Sequence, residues 1–399
     1  MAFVLIVSLP AGIALQNTSI ALFALWLMFN RRRKARMTFK MNWAAGLTIV
    51  LMLWLLWLGA VTLLNDFNTS AGNVIPFWFG YLPLVFMPVL MASRFEINHQ
   101  LYHFVKKVTT FVVMIWTILI FSQWLWGWSL RSADPFSAAM PTGFYSHPET
   151  LAAVSVLIWP LALTTLKLEA RSASTWILTV CLLLILMMAA PWPYHLVALV
   201  LTVWQLYHSL REDKINFYAL LASAWILLLT MTVELAILGR EPAMAEVVNH
   251  FAGWQSFWSS VATMDASWLW FGHGIDLDRT YWLDYSQAQQ MDLGVEGLAS
   301  LPGLYWQLLL QGGAIGLGLY LCWLAGLWYL SSRVTHRYHR DMYRQTLLVF
   351  MLLSLWVNVF QKAEFRHVLT LYIAAMASEL PVKLPFQSRA SGRKPNCGG

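Results

Sequence analysis

Charge is what this 399-residue chain has least of: 11% of its residues are Asp, Glu, Lys or Arg, against 59% hydrophobic. A water-soluble domain of this length carries roughly 25% charged residues, so most of this surface is not built to face water. Cysteine is nearly absent as well, with three in all. Cys181 and Cys322 sit inside apolar runs and Cys397 in the tail, which excludes a disulfide-framed secreted scaffold. No positive n-region with a small-residue cleavage site opens the chain, so residues 1–7 read as the start of a retained apolar segment and not a cleaved leader. No repeat of 20–50 residues and no low-complexity tract is found.

What is abundant is apolar length and tryptophan. Apolar segments fall near 2–15, 17–30, 43–64, 75–92, 105–127, 147–166, 175–190, 195–208, 217–238, 303–330, 345–361 and 367–382. Crossing ~30 Å of hydrocarbon takes about 20 helical residues, and only helices or closed barrels satisfy their backbone there. The expectation is an all-α integral membrane protein of about a dozen transmembrane helices, forming one polytopic domain over 1–386 with a disordered cytoplasmic tail over 387–399. The 23 Trp fit interfacial belts, as at Trp124, Trp126 and Trp128.

The net charge of +7 comes from a biased distribution. Placing the Arg31–Lys40 stretch in the cytoplasm and alternating from there puts 21 of the 26 Lys and Arg on that side. The other face keeps Arg131, Arg240, Arg279, Lys362 and Arg366. The basic balance is thus a topology signal, not a nucleic-acid patch, and both termini come out cytoplasmic. The longest polar interval, 239–302, is then a large outer loop, long enough to carry function. Helical pieces are expected near Pro242–Trp258 and Asp284–Leu293, around a turn-rich centre at Gly272–Asp278.

Three stretches could carry chemistry. In Phe271-Gly272-His273-Gly274, two glycines permit a tight turn that aims His273 into a cleft, where it could act as a base or hold an anion. His273, Asp276 and Asp278 are too few and too varied to read as a metal site. In Gly143-Phe144-Tyr145-Ser146-His147-Pro148-Glu149, Ser146 can cap a helix whose first turn holds Pro148 and Glu149. His147 and Glu149 there could poise an acceptor hydroxyl. In Leu301–Leu317, Gln307 and Gln311 share a helix face, and Gly312, Gly313 and Gly316 read as close-packing glycines. Among the few outer cations, Arg240, Arg279 and Arg366 have a shape suited to phosphate oxygens.

These features, in this order, resemble the bacterial O-antigen polymerase and ligase superfamily. The resemblance is carried by Leu9-Pro10-Ala11-Gly12 near the start, Gly143–Pro148 opening a helix, Phe271–Gly274 in the large outer loop, and Gln311-Gly312-Gly313-Ala314-Ile315-Gly316-Leu317 after it. It implies a GT-C-like glycosyltransferase of the bacterial inner membrane, acting at the periplasmic face on an undecaprenyl-pyrophosphate-linked glycan, with no cofactor and no metal. Other polysaccharide-assembly proteins would be its partners. Pro302-Gly303, Trp254 ahead of Trp258, and Pro191–Tyr194 stand where ligases carry other residues, so the polymerase is the expected branch. A ligase acting on lipid A core and a lipid-linked glycan flippase or transporter are the alternatives. For such a reaction Arg279, Arg240 and Arg366 are the expected pyrophosphate ligands. His273, His250 or Glu149 is the expected base. His147, Trp254 and Gln307 are expected to contact substrate, Trp254 by stacking on a sugar face.

Overall fold

A computed structural model of the chain describes residue 22 and residues 39–65, 67–94, 99–126, 148–169, 171–190, 192–209, 214–238, 265–275, 303–356 and 363–380. Every regular element among them is an α-helix. In chain order these are α1 (Phe39–Asn65), α2 (Phe67–Arg94), α3 (His99–Trp126), α4 (Pro148–Glu169), α5 (Ala173–Ala189), α6 (Trp192–Ser209), α7 (Lys214–Leu238), α8 (Ala266–Phe271), α9 (Leu304–Ser331), α10 (Arg337–Trp356) and α11 (Ala363–Ser378). Ten of the apolar segments marked in the sequence fall on the long helices. The segment at 2–15, that at 17–30 apart from residue 22, the tail from 387 and both helical pieces expected in the outer loop lie outside the described residues.

The chain is a helical membrane protein in its surface as well as its composition. α1 buries Leu51, Trp54, Leu55 and Leu58 on one side while leaving Ile49, Leu53, Leu56 and Leu64 exposed on the other. A helix that is apolar all round needs lipid or protein on every face. By length and composition, four helices suit a membrane crossing, in α1, α3, α4 and α9, and shorter apolar stretches lie at Phe77–Ala92, Ala173–Ala189 and Phe217–Val233. α4 is the centre of the bundle: Leu151–Leu157 and Trp159 are all at most 5% exposed, and α5, α6, α10 and α11 pack around it. Threonines on these helices turn their hydroxyls back onto the carbonyl four residues before, as Thr110 does to Lys106 and Thr202 to Ala198. That keeps a polar side chain satisfied without water.

Neighbouring helices run antiparallel where hairpins join them. Thr48 donates to the Val85 carbonyl and Trp78 to that of Leu55, which sets α1 against α2. Among the described residues, Lys106 and Lys167 gather at the end of the bundle where α10 begins. Lys106 pairs with Glu169, the rings of Tyr102 and His339 stack 4.8 Å apart, and Lys167 lies over Tyr338. These contacts bring together the ends of α3, α4 and α10. Arg366 stands apart, near the start of α11.

One segment departs from the sequence reading. The run 303–330 reads as a single span, but α9 is broken at Gly313, whose φ of 64° and ψ of −167° are not helical. Along a straight helix, residues 305 and 320 would lie about 22 Å apart at 1.5 Å per residue. Their rings are in fact 6.2 Å apart. The arm 304–312 therefore folds back beside the segment 314–331, and both Tyr305 and Tyr320 reach the same level of α10, at Met351 and Phe350. Only the part after Gly313 can serve as a transverse helix, so the length of α9 overstates its span.

Candidate functional site

The break in α9 is where two sequence motifs meet. A residue with the dihedrals of Gly313 interrupts the run of i→i+4 bonds, and the carbonyls just before it need other donors. Leu310 O accepts from His273 N at 2.7 Å and Gln311 O from Gly274 N at 2.9 Å. Gly312 O accepts from Trp57 Nε1 at 2.8 Å. The Phe271–Gly274 stretch thus lies along the end of the short arm as a small strand would, and α1 closes the other side.

The glycines are required by this approach. Gly272 and Gly274 have φ of 81° and 100°, in the region that L side chains rarely adopt. A Cβ on Gly313 would stand 2.2 Å from Trp270 O, and one on Gly272 2.5 Å from Gln311 O. Neither backbone atom can yield without separating the motifs. Gly313 therefore makes the fold-back, and the packing role expected of it falls to Gly312 and Gly316, which lie against Leu58 and Trp57.

α1 supplies the rest of the cradle. Asn65 Nδ2 donates to His273 O at 2.9 Å and to Gly272 O at 3.3 Å. Thr62 Oγ1 accepts from Ile275 N at 2.8 Å while donating to Leu58 O. Neither residue stood out as functional in the sequence. The available signal is their spacing: two hydrogen-bonding side chains three apart, on one face at the end of an apolar run.

His273 is only 6% exposed. Its ring stacks on Trp268, with centroids 4.0 Å apart and planes 13° from parallel. Burial pushes its pKa down to about 4, because the imidazolium form would lose its hydration. The ring is neutral at physiological pH. It can donate or accept a hydrogen bond, but it does not offer a charge to an anion.

A cation of this region is Arg366, the one described residue of the three arginines that the charge bias in the sequence assigns to the outer face. Its guanidinium lies 5.1 Å from the centroid of Tyr81. A Cβ on Gly80 would be 3.1 Å from its Nη2, so the missing side chain makes room for it. Tyr81 packs on Trp54 (5.5 Å), and Trp54 on Tyr320 (5.8 Å). A continuous aromatic wall thus runs from Arg366 to the fold-back of α9. Gln307, 9% exposed, sits in the short arm itself. Among the described site residues, then, His273 lies at the tip of the fold-back, Gln307 along it, and Arg366 at the far end of the aromatic wall.

Glu149 opens α4, a helix that packs on α11, which carries Arg366. It is exposed in the first turn of that helix, which also packs on α5, α6 and α10. His250, His147, Arg240, Arg279 and Trp254 lie outside the described residues. Among the described residues, no three His, Cys, Asp or Glu side chains gather in a way that could hold a metal ion. Comparison of the chain with protein-family models and with curated proteins gives no match.

Proposed function

We propose that this protein is a membrane glycosyltransferase that polymerises undecaprenyl-pyrophosphate-linked oligosaccharide repeat units at the periplasmic face of a bacterial inner membrane. The observation that carries the reading is the interlock of Phe271–Gly274 with Gln311–Gly313. Two of the motifs behind the resemblance to O-antigen polymerases and ligases, far apart in sequence, share backbone hydrogen bonds. On this reading the chain crosses the membrane about twelve times in a GT-C-like arrangement, with both termini cytoplasmic and the interlock at the outer face.

Transfer from a glycosyl pyrophosphate needs charge stabilisation on the leaving group and a base for the acceptor hydroxyl. Arg366, beside the Tyr81 ring, is the candidate for the first need, since a guanidinium keeps its charge when partly buried and matches phosphate oxygens. The ring of His273, neutral near pH 7, suits hydrogen bonding to a sugar hydroxyl better than contact with pyrophosphate. Arg240, Arg279 and His250 remain candidates from the outer loop, and the ligase remains the nearest alternative. A transporter of lipid-linked glycan is favoured by one observation of its own. Interrupted helices such as α9 are a common way to build a substrate site within a membrane.

The deciding experiment deletes the gene in its native host, restores it as wild type or Arg366→Ala, and resolves surface polysaccharide by size. Single repeat units on the lipid A core support the polymerase. Long chains stranded on the carrier lipid, with bare core, point to the ligase. Unchanged surface glycan in the deletion sinks both and brings the transporter forward.

A further inference from the structure

Among the described residues, the end of the bundle opposite the interlock carries more arginines than the carboxylates there pair with. Arg333, Arg337, Arg340 and Arg344 lie in the α9–α10 turn and the first two turns of α10. Residues 337, 340 and 344 recur at helical spacing, so they line one face. Among the described residues, the acidic groups at this end are Asp341, which follows Arg340 on α10, and Glu169 and Glu379, which are engaged elsewhere. Glu169 takes Lys106 and has His103 Nδ1 3.2 Å away; Glu379 takes the Tyr343 hydroxyl and has His339 Nδ1 2.7 Å away. Among the described residues, no carboxylate lies within ion-pair distance of the four guanidiniums. The Nε atoms of Arg340 and Arg344 are buried and have no hydrogen-bond partner.

The helix adds to the imbalance. α10 has no acidic residue in its first turn, where the macrodipole presents its positive end. Arginines there are unfavourable unless an anion is present. The arginines also have aromatic neighbours. Arg333 lies 4.9 Å from the Tyr329 ring and Arg344 5.8 Å from the Trp328 ring. Trp328 and Tyr329 are 39% and 40% exposed, at the end of the α9 face that also exposes Leu321. A matching ligand is therefore anionic at one end and apolar beside it.

We propose that the α9–α10 elbow binds the headgroup of an anionic phospholipid, with Arg340 and Arg344 on the phosphate, Arg333 and Arg337 at its rim, and the acyl chains along the exposed face of α9. Basic pockets at the ends of membrane helices take such headgroups through charge and hydrogen bonding together. The inference is independent of the glycosyltransferase reading.

The test is native mass spectrometry of the full chain purified in detergent, titrated with phosphatidylglycerol or phosphatidylcholine, with inorganic phosphate as competitor. The expected result is preferential retention of phosphatidylglycerol, not displaced by phosphate. Arg340→Gln and Arg344→Gln together should weaken it by about fivefold per arginine. The Arg→Lys pair should fall between, and Lys107→Gln, an exposed cation at the same end, should change nothing. Equal binding of the two lipids, full displacement by phosphate, or unchanged affinity in the Gln pair would each overturn the proposal. If the Gln pair does not fold, the unaltered chain decides: binding that weakens with salt supports the site, and binding indifferent to salt overturns it.

Discussion

The two ends of the bundle are held together by different chemistry. At the interlock, the contacts are backbone to backbone: His273 N to Leu310 O and Gly274 N to Gln311 O, with side chains of α1 closing the edge. At the basic end, side chains join the helices: Lys106 with Glu169 and Thr175, and Glu379 with Tyr343 and His339. A backbone contact tolerates almost no change at its glycines, because any Cβ occupies the contact itself. A side-chain network can lose one member and re-form around water at the bundle's rim. The interlock should therefore be brittle and the basic end graded.

The sharpest test of that contrast is Gly313→Ala. The new Cβ would meet Trp270 O at 2.2 Å, at a residue whose φ is +64°. Strain and lost backbone bonds together should cost about 3 kcal/mol or more. Thermal unfolding in detergent should show a large drop in Tm, together with loss of any restored surface glycan. A change of only a degree or two would mean that the fold-back is not tightly held.

Next in size is Lys106→Met at the other end. Lys106 is 2% exposed and Glu169 26%. Losing the ammonium leaves a half-buried carboxylate that still has His103 nearby, so the expected loss is about 2 kcal/mol, less than for a fully buried pair. Glu169→Gln in the same background should recover part of it, read as a positive coupling in a double-mutant cycle. Additive losses would show that Lys106 acts through packing alone.

These two positions also show how far the sequence could be read. The helical membrane class and the apolar segments followed from length and hydropathy, which act locally along the chain. The fold-back at Gly313 did not, because Gln311–Leu317 is as compatible with a packed straight helix as with a broken one. Choosing between them needs the partner segment at Gly272–Gly274, about 40 residues earlier, with nothing in the sequence to pair the two. Of the candidate site, His273 and Arg366 were visible as residue types in unusual places. Asn65 and Thr62 were not, since their role exists only once α1 is laid beside the Gly272–Ile275 turn. The neutrality of His273 was hidden for the same reason: burial is a tertiary property.

That neutrality yields a pH-dependent prediction. His273 has a folded pKa of about 4, below the ordinary value of 6.5. The unfolded chain therefore takes up its proton first as pH falls. The contribution of His273 is complete above about pH 6.5 and is lost as pH drops towards 4. His273→Gln should flatten this part of the curve of Tm against pH while leaving other acid-dependent losses in place. An unchanged slope would mean that the ring reaches water in solution.

The smallest effect tests the edge of the interlock. Trp57 donates to Gly312 O at 2.8 Å, and its ring lies 5.9 Å from Phe271. Trp57→Phe keeps most of the apolar area and removes the donor, leaving a carbonyl beside the break with one partner fewer. The expected cost is about 1 kcal/mol. Gly318→Ala, further along the same helix with nothing within 4 Å of the new Cβ, is the reference. It should be neutral or slightly stabilising, since alanine favours the helix by up to about 1 kcal/mol. If the two substitutions shift Tm equally and in the same direction, the carbonyl at Gly312 does not depend on Trp57. A clear difference between them locates the brittleness at the break, and not in the glycine-rich helix as a whole.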